Sequence, residues 1–171
     1  LSSAGVLLTA GITGIFIHLV LKLPLLESFL VASVIGSTDA ASVFNILRSK
    51  NLNLKENTAS LLEMESGSND PVSYMLTVIL TAVLTGQSVN IGSMLFFQVF
   101  FGIGCGVLFG KSTAVVLNQV DFDIAQGKTI LVFAAAILAY TVPSMIGGNG
   151  YLSVYLCGII LGNSYLPHKR D

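Results

Sequence analysis

The hydrophobic pattern of this chain is a series of long apolar stretches separated by short polar ones. Six stretches carry almost no charge, and most approach the roughly 20 residues that a helix needs to cross a hydrocarbon core of about 30 Å. They run from about Leu1 to Leu21, Leu25 to Leu47, Thr58 to Thr85, Ile91 to Leu117, Thr129 to Ile146 and Tyr151 to Leu166. Between them lie Lys22-Leu23-Pro24, the polar loop Arg48 to Asn57, the uncharged Gly86-Gln87-Ser88-Val89-Asn90, a connection carrying Asp121, Asp123 and Lys128, and the glycine-rich Gly147-Gly148-Asn149-Gly150. Barrel strands would alternate in polarity and end after about ten residues. These run lengths predict helices instead, and the expected fold class is an all-α membrane protein of about six transmembrane helices.

Charge placement tests that span map independently. If the spans are right, successive connections alternate between the two sides of the membrane. One side then receives Arg48, Lys50, Lys55, Lys111, Lys128, Lys169 and Arg170, and the other only Lys22. Positive charge accumulates on the cytoplasmic side, so the loop Arg48 to Asn57 and both chain ends are expected to be cytoplasmic, with the protein spanning the plasma (inner) membrane several times.

Composition agrees. Hydrophobic residues make up 53% of the 171, charged residues 10%, and mean hydropathy is +0.83. A soluble domain carries about 25% charged residues. The net charge of −1 gives no sign of a nucleic-acid partner. The chain begins at Leu1, already inside an apolar run, so it reads as an excised piece of a longer protein. Cys105 and Cys157 form no CxxC and have no nearby His, so they read as small buried hydrophobes rather than metal ligands.

Against this background Asp39 and Asp70 stand out, each near the middle of a span. A carboxylate at mid-bilayer costs about 2.5–3.5 kcal/mol on insertion scales. A chain retains such a group when it has a partner, faces water or performs work; the plain alternative is a polar knot that only locks helices together. The second span also looks broken at its centre. Gly36 ends helices, Ser37-Thr38-Asp39 are all residues that start them, and Ala40-Ala41 favour the helix that would follow. One half-helix would end near Gly36 and another begin at Asp39, against the alternative of one continuous helix that tolerates a glycine. Broken helices of this kind build cation sites in secondary transporters.

The third span contains Glu63-Met64-Glu65-Ser66-Gly67-Ser68-Asn69-Asp70-Pro71. Helical spacing stacks Ser66 on Asp70, with Glu63 further along the same face, and stacks Glu65 on Asn69 on the neighbouring face. Glu63 and Glu65 lie shallower than Asp70, toward the cytoplasm. Pro71 cannot donate to the carbonyl of Gly67, which leaves an acceptor beside the aspartate. The bland reading here is a proline-kinked helix with satisfied polar groups. Oxygen ligands suit hard monovalent cations, and no His/Cys cluster is present for a transition metal. A mid-membrane carboxylate holds a proton or a cation but not both comfortably, and that competition is the physical basis for exchanging one for the other.

Gly36-Ser37-Thr38-Asp39-Ala40 followed by Glu65-Ser66-Gly67-Ser68-Asn69-Asp70-Pro71 closely resembles the monovalent cation/proton antiporters of the CPA1 type, most of all the bacterial potassium/proton antiporter branch of the NhaP group. The resemblance covers essentially the whole chain, but only about half of a typical family transport domain. It implies that residues 1–171 are a partial transmembrane exchanger domain, half of an inverted-repeat antiporter fold with one discontinuous helix. It carries over Thr38, Asp39, Ser66 and Asp70 as cation and proton ligands, with Asp70 the shared site. Glu65 and Asn69 carry over as the pair that orients the site, and Glu63 is placed at the cytoplasmic entry. Electrogenic relatives have two adjacent aspartates, so Asn69 implies electroneutral exchange. The second crossing helix, a family arginine that pairs with the glutamate, and any cytoplasmic regulatory domain are not in these residues, so this piece alone is not expected to transport.

The function expected is exchange of a monovalent cation, K+ in the favoured case, for protons by alternating access, with Na+/H+ exchange the nearest rival. The protein is then not an enzyme and needs no cofactor. Its partners are K+ or Na+, protons, the lipid bilayer and the missing second half of the same transporter, and a homodimer is compatible with the reading. An intramembrane aspartyl protease also uses two buried aspartates, but it needs a GxGD-type motif, and Asp70 follows Ser68-Asn69. A passive channel would not need two ionisable groups at mid-depth.

Other signals carry less. Gly102, Gly106 and Gly110, and again Gly158 and Gly162, recur every four residues, which reads as close helix packing. Gly106 to Thr113 resembles a phosphate loop, but that pattern needs glycine where Cys105 stands and a preceding strand. His18 reads as interfacial rather than as a proton relay. Tyr151, Tyr155 and Tyr165 read as interfacial anchors.

Overall fold

The computed structural model describes residues 2–37, 45, 58–87, 90–120 and 125–164. Among these the chain forms six helices: α1 (Ser2–Leu21), α2 (Leu25–Ile35), α3 (Thr58–Leu84), α4 (Ile91–Gln119), α5 (Ala125–Met145) and α6 (Gly150–Asn163). The secondary structure of the described residues is all helical, as the apolar run lengths predict. α1, α4 and α5 are long and apolar enough to cross a membrane. α2 and α6 are shorter apolar helices. α3 is long enough, at 27 residues, but carries Glu63, Glu65 and Asp70 along its first half.

The chain divides into two compact units, Leu1–Ile91 and Gly92–Asp171. In the first, α1, α2 and α3 pack on one another. One stripe of α1, with Val6, Ala10, Gly14 and Ile17 at spacings of three and four, is buried. Such spacing keeps one helix face against its neighbours. Ala10 and Ile17 join Ala32 of α2 in a small core, with Leu23 and Leu76 against it. Gly14 is required there, because the Phe29 ring occupies the place a Cβ would take. Leu7, Leu8, Ile12, Phe16 and Leu19 on the remaining faces are exposed, as a bilayer-facing surface would be. The tight turn from α1 to α2 puts Lys22 at φ +55°, a left-handed conformation that commonly ends helices. His18 Nδ1 donates to the Leu23 carbonyl at 2.7 Å, so the imidazole caps this turn.

In the second unit, one face of α4 is buried through Gln98, Gly102, Gly106, Gly110, Thr113 and Ala114. The three glycines meet α6. A Cβ at Gly106 would lie 2.6 Å from the Ser153 carbonyl oxygen, one at Gly102 3.0 Å from that of Asn149, and one at Gly110 3.0 Å from the Ile160 Cβ. The spacing expectation of close packing holds for these three. Gly158 and Gly162 differ: nothing lies within 4 Å of either Cβ position, because they sit on the face of α6 turned away from α4. α5 leads into α6 through a turn with Gly147 at φ +81°. Asn149 caps α6 by accepting from the Leu152 N–H at 3.0 Å, and its own N–H donates to the Gln98 carbonyl at 3.1 Å. The thiol of Cys157 is buried and that of Cys105 half-buried, and both are free.

Candidate functional site

α2 is 11 residues long, which at 1.5 Å per residue is about 16 Å, roughly half the hydrocarbon thickness. It stops where the sequence pattern predicts. Ile35 is its last residue, and the Gly36 N–H closes the final turn on the Ala32 carbonyl at 2.9 Å. Gly36 itself stays right-handed, at φ −68° and ψ −11°, so it does not serve here as a left-handed cap. Thr38, Asp39 and the expected start of a second half-helix lie outside the described residues.

Asp70 is the thirteenth of the 27 residues of α3, close to its midpoint, and its side chain is half-buried. α3 runs antiparallel to α2, so the end of α2 meets the middle of α3. Three side-chain contacts join them there. The Ser37 hydroxyl donates to Asp70 Oδ1. The Ser73 hydroxyl, one turn along α3 from Asp70, donates to the Ser33 carbonyl. Ser33 and Thr77 are in contact through their hydroxyl oxygens at 2.9 Å. The last four carbonyls of a helix lack partners within it, and in a membrane each needs another donor. Ser73 supplies one, so the broken end of α2 is finished by α3.

Ser33 and Thr77 also face carbonyls of their own helices, Leu30 at 2.8 Å and Ser73 at 2.8 Å. Two hydroxyl protons serve these three contacts. Further along, Thr81 donates to the Thr77 carbonyl at 2.8 Å and Thr85 to that of Thr81 at 2.9 Å. Asn69, Ser73, Thr77, Thr81 and Thr85 thus make an uncharged polar stripe of period four, which continues the Glu65 face toward the C-terminal end of α3.

The structure brings together part of the predicted site. Ser66 and Asn69 are buried beside the half-buried Asp70, at 8% and 9% exposure, and Pro71 is buried after it. The Glu65 side chain is exposed, and its carbonyl accepts from the Ser68 hydroxyl at 2.9 Å. The side chain of Glu63 lies outside the described residues. Ser33, Ser37, Ser73 and Thr77 were not picked out as site residues by the sequence reading. The available signal was the i, i+4 repeat of hydroxyls on both helices. In the second unit, the amide of Gln98 and the hydroxyl of Ser153 are buried without a hydrogen-bond partner among the described residues, and none of that unit's described residues is a carboxylate.

A carboxylate at mid-helix, next to the carbonyl end of a half-length helix, is a site for positive charge. The aligned peptide dipoles put partial negative charge at the C-terminal end of α2, and Asp70 adds a full one when ionised. Comparison with known proteins gives the same direction. The profile of the family described as sodium/hydrogen exchanger, transmembrane, matches residues 1–170. The chain belongs to the sodium/hydrogen exchanger family. It is similar to the K(+)/H(+) antiporter NhaP2 of Shewanella oneidensis, at 37% identity over 95% of this chain and 29% of that protein. It is likewise similar to the K(+)/H(+) antiporter NhaP of Alkalimonas amylolytica, at 35% identity over 98% of this chain and 29% of that protein. The low-affinity Na(+)/H(+) antiporter NhaS1 of Synechocystis is 31% identical over 80% of this chain and 26% of its own length. This exchanger segment therefore spans less than a third of the length of these relatives.

Proposed function

We propose that the protein containing this segment exchanges a monovalent cation for protons by alternating access, with Asp70 carrying cation and proton in turn. The observation that carries the reading is the Ser37–Asp70 contact, which sets the mid-helix carboxylate of α3 at the carbonyl end of α2. K+ is the favoured cation, because the K(+)/H(+) antiporters match at 35% and 37% identity and over more of the chain than the Na(+)/H(+) antiporter does. The latter match makes Na+ the second reading.

Within this scheme Ser66 and Asp70, with Thr38 and Asp39, hold the cation, and Asn69 and Glu65 orient the site. Glu63 stands at the cytoplasmic entry. An amide such as Asn69 stabilises a carboxylate by donating hydrogen bonds but has no exchangeable proton to carry. One titrating group per cycle gives one cation for one proton and no net charge moved. Everted vesicles bearing the exchanger test the reading: added K+ releases accumulated protons at a rate that an imposed membrane potential leaves unchanged. Proton release by neither K+ nor Na+ contradicts it.

The seven-to-one placement of Lys and Arg supports cytoplasmic loops at 48–57 and 118–128 in a plasma-membrane protein. Single cysteines at Asn53 and Ala125 should label from the cytoplasm only, and one at Gln87 from outside only. Labelling of Asn53 and Gln87 from the same side rejects this orientation.

A further inference from the structure

We propose that Ser37 is itself a cation ligand and sets the preference of the Asp70 site for K+ over Na+. This rests on the reading of Asp70 as the exchange site and adds a residue to it. The Ser37 hydroxyl donates to Asp70 Oδ1, so its oxygen lies one hydrogen bond from the carboxylate. With its single proton committed to Asp70, that oxygen still has lone pairs to offer. A dehydrated cation resting on the carboxylate meets it without any movement of α2.

The oxygen is also held in place. Ser37 directly follows Gly36, whose N–H closes the last turn of α2. One turn back, the Ser33 carbonyl is held by Ser73 and the Ser33 hydroxyl meets Thr77. These two links hold the end of α2, and with it the backbone leading into Ser37, against α3. These links also fix the register, so Ser37 stands opposite Asp70 rather than a turn away.

Selectivity follows from ligand chemistry. A hydroxyl oxygen is a neutral ligand of weaker field than a carboxylate, and the number and field strength of such oxygens discriminate K+ from Na+. Removing one neutral oxygen leaves the site dominated by the carboxylate, whose stronger field favours the smaller ion. The loss therefore falls mainly on K+.

The test uses the intact exchanger in proteoliposomes, with KM and maximal rate measured separately for K+ and Na+ in wild type, Ser37→Ala, Ser37→Thr and Asp70→Asn. Ser37→Ala should raise the KM for K+ about tenfold, the effect of losing one ligand to a charged site. The KM for Na+ should rise less, and maximal rates should stay within about twofold of wild type by the same reasoning, since Asp70 is intact. Ser37→Thr, which keeps the hydroxyl, should restore the wild-type KM for K+. A KM for K+ within twofold of wild type in Ser37→Ala overturns the inference. So does a lower maximal rate at unchanged KM, which assigns Ser37 to packing, and so does failure of Ser37→Thr to restore the KM. Asp70→Asn separates the two levels of the argument: if it still exchanges, the reading of Asp70 fails, and if it is silent while Ser37→Ala is normal, only the role of Ser37 fails.

Discussion

Where α2 meets α3, the contacts are hydroxyls: Ser37 on Asp70, Ser73 on the Ser33 carbonyl, Ser33 against Thr77. Where α4 meets α6, they are glycines: Gly102, Gly106 and Gly110 let the α6 backbone and its Leu152, Leu156 and Ile160 side chains approach directly. Both seams answer the same problem. Lipid is as apolar as leucine, so burying apolar surface does not hold membrane helices together, and close packing or interhelical hydrogen bonds must do it. The glycine seam buries no charged side chain among the described residues; its buried polar groups on α4 and α6 are the neutral Gln98, Thr113 and Ser153. The hydroxyl seam gathers oxygen atoms near the middle of α3, and one of them, that of Ser37, reaches the Asp70 carboxylate. The proposed cation site therefore lies where the helices are stitched rather than where they are close-packed.

The contrast breaks most sharply at the glycines. Gly106→Leu drives a side chain into the Ser153 carbonyl, and overpacking of that kind costs about 1–3 kcal/mol or more. Gly158→Leu meets open space and should leave stability within about 0.5 kcal/mol. Unfolding of the purified exchanger in detergent measures both, and equal losses would mean that the two glycine faces are not different in kind. A smaller effect is expected at the hydroxyl seam. Ser73→Ala removes the donor that finishes α2, and interhelical hydrogen bonds in membranes are worth about 0.6 kcal/mol on average and up to about 1.7. The same unfolding measurement should find a loss in that range, together with slower exchange, because the end of α2 is released from Asp70. Unaltered exchange in Ser73→Ala would separate the stitching from the site.

Much of this was legible in the sequence. The starts of α1, α4 and α6 and the end of α2 at Ile35 follow from apolar run length and from the helix-ending and helix-starting residues at Gly36-Ser37-Thr38-Asp39. The polar motif at Glu65–Pro71 marked the middle of α3 for the same reason: a carboxylate at mid-span is costly enough to need an explanation. Pairing between helices was not legible. Ser73 and Ser33 are 40 residues apart, and run length gives a residue's depth in the membrane but not the direction in which its side chain faces. That is why spacing within one helix points to Ser66 beside Asp70 but gives no sign of Ser37, which faces Asp70 from another helix. It is also why the glycines of α4 and those of α6 looked alike in sequence while only the first set meets a neighbour.

The central claim is that the stitched seam matters because it holds Asp70, and Asp70→Asn tests it most directly. Asparagine is nearly isosteric and keeps an acceptor for the Ser37 hydroxyl, so the helices should still insert and pack. Only the exchangeable charge is lost. In everted vesicles matched for the amount of inserted protein, K+-induced proton release should fall below about a tenth of wild type, the loss expected when the group carrying the ion is removed. Exchange retained above that level by correctly inserted protein would place the transported charge elsewhere and contradict the account.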